Sequence, residues 1–177
     1  MGLQLSKVEL LDYDSSWHFK FLDEKEMLIS LFGKDIVEIE HVGSTAISTI
    51  KSKPIIDIVV GLKKLENGEQ YIHSLKSLGY SYKGHMGKSK RYFFSKGSEF
   101  EMTHHLHLVQ YEDDNWNNQI LFKEYILSNP DIARIYNDLK ISLQVKYPND
   151  REKYTEGKSS FIVETIREAK LSCKFNK

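Results

Sequence analysis

Hydrophobic residues follow two spacings along the chain, and each spacing predicts one kind of element. A stripe at helical spacing runs through residues 15–32 and ends at Gly33, which predicts a helix with a glycine C-cap. Further helices are predicted over residues 71–78, from 114 to before Pro130, from 131 to before Pro148, and through 161–169. Alternating or continuous apolar runs predict strands near residues 36–42, 54–60, 80–83, 91–95 and 102–110. The pattern predicts an α/β fold, a mixed sheet covered by helices.

The strand at residues 54–60 contains one acid, Asp57, inside an otherwise apolar Ile/Val-rich run. Such a run is typical of a strand that is buried on both faces. A carboxylate in that position is costly unless it is paired, hydrogen-bonded or bound to a metal. Asp57 is therefore a candidate for chemistry, and the alternative is a structural acid that caps a nearby backbone.

A Gly-Ser-Thr turn, residues Gly43, Ser44 and Thr45, follows the strand at 36–42. Glycine adopts backbone shapes that other residues resist, and the two hydroxyls come with backbone amides where a short helical connection starts. Such a place suits a phosphate or another anion. The alternative is an ordinary Ser/Thr helix cap without a ligand. The acid at Asp57 downstream favours the anion site.

His105 and His107 lie two residues apart on the strand at 102–110, so both imidazoles project to the same face. If that face coincides with the face of Asp57, one carboxylate and two imidazoles converge and can hold a divalent metal ion. Mixed nitrogen and oxygen ligation suits Mn, Fe, Ni or Zn better than Mg. His41, on the neighbouring strand, is a candidate fourth ligand or base. The alternative is that Asp57 only hydrogen-bonds the histidines, or that these are half-buried residues without a role.

Composition and charge narrow the class of protein. The chain of 177 residues fits one domain, with a core over about 8–170. Its 25 basic and 25 acidic residues cancel, which makes nucleic acid an unexpected partner, although a local basic patch is not excluded. One cysteine, Cys173, favours a reducing compartment, and no apolar run reaches membrane length. We expect a soluble cytoplasmic protein.

The order of these motifs resembles known families. Val42-Gly43-Ser44 followed by Asp57-Ile58 resembles the signature of the nucleotidyltransferase superfamily, and the blocks at 40–47 and 53–60 resemble more narrowly the GrpB family, which is placed in it. The later motifs that extend the resemblance over about residues 8–170 are Arg91-Tyr92-Phe93, His105-Leu106-His107, Ser128-Asn129-Pro130, and Tyr154 with Lys158, Phe161 and Ile162. The resemblance implies a nucleotidyltransferase-like sheet with added C-terminal helices.

One position departs from the superfamily. Val59 stands where the signature has its second acid. Two-metal nucleotidyl transfer uses carboxylates that bridge ions about 3.5–4 Å apart, so this chain is a poor fit to the usual mechanism.

Three functions remain in competition. The first is an enzyme acting on a nucleotide or phosphorylated small molecule through Asp57 and the histidines, with Lys53, Arg91 and Lys158 neutralising phosphate charge. Tyr154 is a further candidate substrate-binding residue. The second is a binding protein for nucleotides or anions on a decayed transferase scaffold. The third is a hydrolase with Ser44 as nucleophile, which lacks a Gly-x-Ser-x-Gly elbow. The first is favoured.

Overall fold

The computed structural model describes residues 7–85, 91–98 and 101–175. Its strands are β1 (Ile36–Val42), β2 (Ile56–Leu62), β3 (Tyr80–His85), β4 (Tyr92–Gly97) and β5 (Met102–Gln110). Its helices are α1 (Ser16–Phe32), α2 (Ile72–Ser77), α3 (Asp114–Ser128), α4 (Pro130–Lys146), α5 (Arg151–Glu156) and α6 (Ser159–Phe175). None of the helices in these ranges combines the length and apolar character that a membrane crossing needs.

The strands form one mixed sheet in the order β1-β2-β5-β4-β3. β2 runs parallel to β5, and the other neighbouring pairs are antiparallel. The register places Asp57 of β2 directly opposite His105 of β5 and opposite Val42 of β1. The predicted mixed sheet is confirmed, and the strands that flank the Gly-Ser-Thr turn, β1 and β2, are neighbours in it.

Alternation along the central strands divides the core between the two faces of the sheet. One face packs on α1, through residues such as Ile58, Leu106 and Trp17. The other face packs on α3, where Val59, Val109 and Trp116 form a smaller cluster with Val42. β2 is therefore buried on both faces, as its composition predicts. Asp57 is the exception, since about 31% of its side chain is exposed.

Helices α3, α4 and α6 form a second apolar cluster beside the sheet. Its buried residues include Phe122 of α3 and Tyr136 of α4, and Ile166 of α6 packs against them. α3 begins where the Asp113 carboxylate accepts the Trp116 N–H at 2.9 Å, an ordinary N-cap. Pro130 occupies the first turn of α4, where a missing N–H costs nothing. These helices cover the same face of the sheet that carries Asp57.

Two segments beside the sheet form neither a regular α-helix nor a strand. The Asn67–Gln70 segment forms part of a 3-10 helix, Leu65–Tyr71, and α2 begins only at Ile72 without a side-chain cap. The Gln70 amide donates to Asp35 at 3.2 Å instead, across to the end of α1. Residues 8–11 do not form a strand, and Leu11 makes an isolated bridge with Ser52.

Candidate functional site

Gly43 brings the turn after β1 into direct contact with Asp57. Its backbone angles, φ 68° and ψ −169°, lie in a region that is essentially restricted to glycine. A Cβ atom at this position would lie 2.9 Å from both Cβ and Cγ of Asp57, closer than carbon atoms pack. The glycine is therefore required by the close approach of the turn to the acid.

Asp57, His105 and Arg151 form a hydrogen-bonded chain. The His105 Nδ1 lies 2.8 Å from Asp57 Oδ1, and Arg151 Nη2 lies 3.2 Å from His105 Nε2. A guanidinium only donates, so Nε2 accepts and the ring proton sits on Nδ1, where it is donated to Asp57. The arrangement fixes both the tautomer and the orientation of the imidazole.

Asp57 is an ionised carboxylate at ordinary pH. Burial acts to raise its pKa, but the hydrogen bond from His105 and the favourable electrostatic surroundings provided by His105, His107 and Lys53 outweigh burial and lower the pKa to about 2. A carboxylate held in this way beside an imidazole stabilises the imidazolium whenever the ring takes up a proton.

Two lysines from distant parts of the chain meet over one aromatic ring. Lys158 Nζ lies 4.6 Å and Lys53 Nζ 5.2 Å from the centre of the buried Tyr154 ring. Burial, together with the charges of Lys158 and Arg151, lowers the pKa of Lys53 to about 7. Burial also lowers the pKa of Lys158, to about 8, with Asp57 opposing this shift and Arg151 adding to it. Cations this close together repel one another, so an anion bound among them relieves an existing cost.

These groups line one cavity of about 210 Å³. Asp57 is the one acid among its lining residues, and three cationic side chains surround it. The structure thus brings together most of the predicted site residues. The lining residues are Ser44, Thr45, Lys53, Ile55, Asp57, His105, Arg151, Tyr154, Thr155 and Lys158.

The Gly-Ser-Thr turn contributes less to this cavity than its composition predicts. Its helical part is a single 3-10 turn, Ser44–Ala46, too short for an appreciable helix dipole. The Thr45 hydroxyl donates to the Ile55 carbonyl at 3.2 Å, and the Ser44 side chain lies close enough to Tyr136 to affect the pKa of its hydroxyl. The positive charge therefore comes from side chains, and anion binding by the turn itself stays a prediction.

His41 lies on the opposite face of the sheet from Asp57. It pairs with Ile58, stacks on Phe21 with ring centres 5.0 Å apart, and lines a different cavity. Its Nε2 lies 2.9 Å from the Thr45 hydroxyl and donates to it, since that hydroxyl's proton goes to Ile55. The expectation of a fourth ligand or base is corrected: His41 supports the turn from behind, and burial lowers its pKa to about 4.

His107 and Arg91 face a second cavity, of about 390 Å³, that adjoins the first and shares Asp57 and Ser44 with it. His107 stacks on Phe93 with ring centres 4.9 Å apart. Burial, together with the charge of Arg91, lowers the pKa of His107 to about 3, so its ring is neutral. The site therefore contains a hydrogen-bonded His105 and a separate, neutral His107.

The hydrogen bonds of His105 affect the predicted metal site. The two ring nitrogens of His105 face Asp57 and Arg151. Within residues 7–85, 91–98 and 101–175, no group of three or more His, Cys, Asp or Glu side chains is placed to hold a metal ion. A metal held by Asp57, His105 and His107 needs Arg151 to move, and that site stays a prediction.

Sequence analysis missed Arg151, Thr155 and Tyr136. Arg151 opens α5, a helix of six residues that is too short to show a periodic pattern. Its start is nevertheless marked, because the Asp150 carboxylate caps it by accepting the Lys153 N–H at 3.0 Å. The cap signal could have located the helix, but the reach of Arg151 to His105 is set by tertiary packing.

Sequence relatives cover almost the whole chain. The family model described as GrpB protein matches residues 7–168. The chain is 36% identical over 172 residues to the glutamate-rich protein GrpB of Alkalihalophilus pseudofirmus, which covers 95% of this chain and 99% of that protein. It is 35% identical over 164 residues to YqkA of Bacillus subtilis, covering 93% of this chain but 48% of YqkA, so it spans about half of that protein.

Solved structures give the same relationship. The crystal structure of the conserved protein GrpB from Enterococcus faecalis superposes with a TM-score of 0.85 at 30% identity, covering 91% of this chain and 96% of that one. A weaker similarity to the MgATP-bound Cid1 poly(U) polymerase has a TM-score of 0.46 at 11% identity over 73% of this chain and 45% of that one, too low to support an argument about function. On sequence and fold together, the chain belongs to the GrpB family.

Proposed function

We propose that the chain binds a nucleotide or another phosphorylated small molecule in the cavity around Asp57, and catalyses transfer of its phosphoryl or nucleotidyl group. The observation that carries the proposal is the convergence of Lys53, Arg151 and Lys158 beside the Asp57–His105 pair. Half-buried cations that line a small cavity bind phosphate oxygens through charge-assisted hydrogen bonds. The same donors stabilise the charge that develops during phosphoryl transfer.

The Asp57–His105 pair supplies the proton acceptor. When a phosphate binds, it competes for the guanidinium of Arg151, and His105 Nε2 is released. The acceptor hydroxyl then attacks phosphorus while the bond to the leaving group breaks, and the hydroxyl proton passes to Nε2. Asp57 keeps the imidazole in place and stabilises the imidazolium, as the acid does in catalytic triads.

The second candidate function is binding without catalysis. Val59 occupies the position of the missing second acid, and it packs with Val109 and Trp116 in an apolar cluster. A second carboxylate at this position would be buried among apolar side chains, which is costly. Phosphate affinity with no turnover of any ligand would favour this candidate.

A first prediction uses the pKa of the lysines. An anion raises the pKa values of Lys53 and Lys158 from about 7 and about 8, so at pH 8 its binding makes the protein take up protons, whereas at pH 6 both lysines are already charged. Sulfate does not titrate in this range and is the suitable probe. Calorimetric titration in two buffers of different ionisation enthalpy measures the uptake. Sulfate binding without uptake at pH 8, or with equal uptake in a Lys53→Met, Lys158→Met double variant, contradicts the proposal.

A second prediction separates catalysis from binding. Asp57→Asn is expected to lower the rate of phosphoryl or nucleotidyl transfer by about 100-fold or more, since the imidazolium loses its counter-charge. The same change is expected to tighten pyrophosphate binding, because one negative charge leaves the cavity. ³¹P NMR on nucleoside triphosphates and phosphomonoesters measures turnover, and Asp131→Asn, at an exposed position on α4, is the control. Unchanged turnover in Asp57→Asn shows that Asp57 is not part of the chemistry.

A further inference from the structure

The cavity around Asp57 adjoins the second, larger cavity, and the linings of the two cavities have different characters. The second cavity, of about 390 Å³, lies between the sheet and the helices α3, α4 and α6. Ser44, Asp57, Thr155 and Lys158 line both cavities and mark the junction. A ligand that places phosphate among the lysines therefore extends its other end into this space.

The walls of the second cavity are mainly apolar. Phe122, Tyr136 and Ile166 line it from three different helices, together with Val42 and Ile162. Tyr136 is held by an edge-on contact with Phe122, with ring centres 5.4 Å apart at 86°, and by a parallel stack on Phe161 at 5.0 Å. These side chains present a fixed apolar surface that suits the faces of a ring or an alkyl chain.

Two polar side chains in the same lining distinguish a ring from an alkyl chain. Asn118 Oδ1 and His107 Nδ1 are buried and have no hydrogen-bond partner among the described residues. Buried polar atoms without partners are unfavourable and rare. The terminal torsions of an amide and an imidazole are soft and two-fold, so both atoms can turn toward a ligand. An alkyl chain offers them nothing, whereas a heteroaromatic ring carries donors and acceptors on its edge.

We infer that the second cavity holds the base of a nucleotide whose phosphates lie among Lys53, Arg151 and Lys158. The inference rests on the proposed function, in which the phosphate binds in the cavity around Asp57. The faces of the base contact the apolar walls, and the Asn118 amide, which has both a donor and an acceptor, pairs with the edge of the base. Asp57 and Ser44, at the junction, then lie beside the sugar and the first phosphate.

Ligands of matched charge test this assignment. Calorimetry compares adenosine and uridine monophosphates with ribose 5-phosphate, which lacks the base, and with hexyl phosphate, which replaces it by an alkyl chain. Because burial of a base removes apolar surface from water, at least one nucleotide is expected to bind about tenfold or more tightly than ribose 5-phosphate. Hexyl phosphate is expected to bind more weakly than that nucleotide.

A matched pair of substitutions on α6 locates the effect. Ile166→Trp fills the second cavity and is expected to remove the nucleotide preference while ribose 5-phosphate binds as before. Val163→Trp adds the same ring to an exposed position, 67% accessible, and is expected to retain the preference. Asn118→Ala leaves the cavity open but removes the amide, and about a fivefold loss of the preference is expected if one hydrogen bond is lost. The Asn118 variant keeps the test available if Ile166→Trp does not fold.

The outcomes distinguish failure of the base assignment from failure of the proposed function. Equal affinity for nucleotides and ribose 5-phosphate overturns the base assignment and leaves the proposed function intact. Tighter binding of hexyl phosphate than of either nucleotide also overturns it, in favour of an alkyl phosphate. A nucleotide preference that survives in both Ile166→Trp and Asn118→Ala shows that the base lies elsewhere. Absence of binding by every phosphorylated ligand overturns the proposed function itself.

Discussion

Replacing Gly43 by alanine is expected to lower the free energy of unfolding by about 2–4 kcal/mol. Two costs add at this position. The backbone lies at φ 68° and ψ −169°, a conformation that an L side chain strains to adopt, and the new methyl group would lie 2.9 Å from Cβ and Cγ of Asp57. The turn and the acid cannot both keep their positions, so phosphate affinity should fall as well. Urea unfolding followed by circular dichroism measures the loss.

Gly33→Ala is the matched control for that experiment. Gly33 also has a positive φ, 52°, but a methyl group added there would meet no described atom within 4 Å beyond its chain neighbours. Its backbone, at φ 52° and ψ −122°, is also strained for an L residue, so its replacement carries only that backbone cost, about 1–3 kcal/mol. The difference between the two variants measures the close approach to Asp57. Equal losses would show that the contact between Gly43 and Asp57 does not constrain the fold.

Replacing Lys158 or Lys53 by methionine is expected to weaken pyrophosphate binding by about tenfold or more for each change. Each lysine is expected to supply a charge-assisted hydrogen bond from inside the cavity, where solvent screens little. Stability should change little or increase, because methionine has a similar length and removes a desolvated cation that its neighbours repel. Each variant is thus expected to bind pyrophosphate more weakly while its stability stays the same or increases. Calorimetry and thermal unfolding on the same samples measure both quantities.

Lys63→Met controls for the loss of one positive charge, since Lys63 is exposed just beyond the end of β2 and lines neither cavity. It should change pyrophosphate affinity by less than a factor of about two. If Lys63→Met weakens binding as much as Lys158→Met does, the attraction comes from overall charge, and the cavity is not the binding site.

Alternation along strands made the centre of the site predictable. Asp57 and His105 each occupy a determined face of their strands, and the parallel register places them opposite each other. The same argument failed for His41, because whether His41 lies on the same face of the sheet as Asp57 depends on the register between β1 and β2. That register pairs Val42 with Asp57, so His41, one residue away, points to the other side of the sheet.

Helix packing was not predictable in the same way. Helical periodicity located α3, α4 and α6, but it does not specify where these helices cross the sheet. No local sequence pattern therefore predicts the second cavity or the position of Tyr136 in its lining. Arg151 shows the same limit, since its contact with His105 joins residues 46 positions apart in the sequence. The motifs identify candidate residues on the strands, and the helices packed around them determine the shape of the cavities beside those residues.

A crystal structure of the protein grown with pyrophosphate tests the central claim most directly. The account predicts a phosphoryl group within hydrogen-bonding distance of Lys53, Arg151 and Lys158, with the Arg151 guanidinium turned from His105 Nε2 toward the ligand. Pyrophosphate bound only at a distant surface, with Arg151 still on His105 and no phosphoryl group among the lysines, would contradict it.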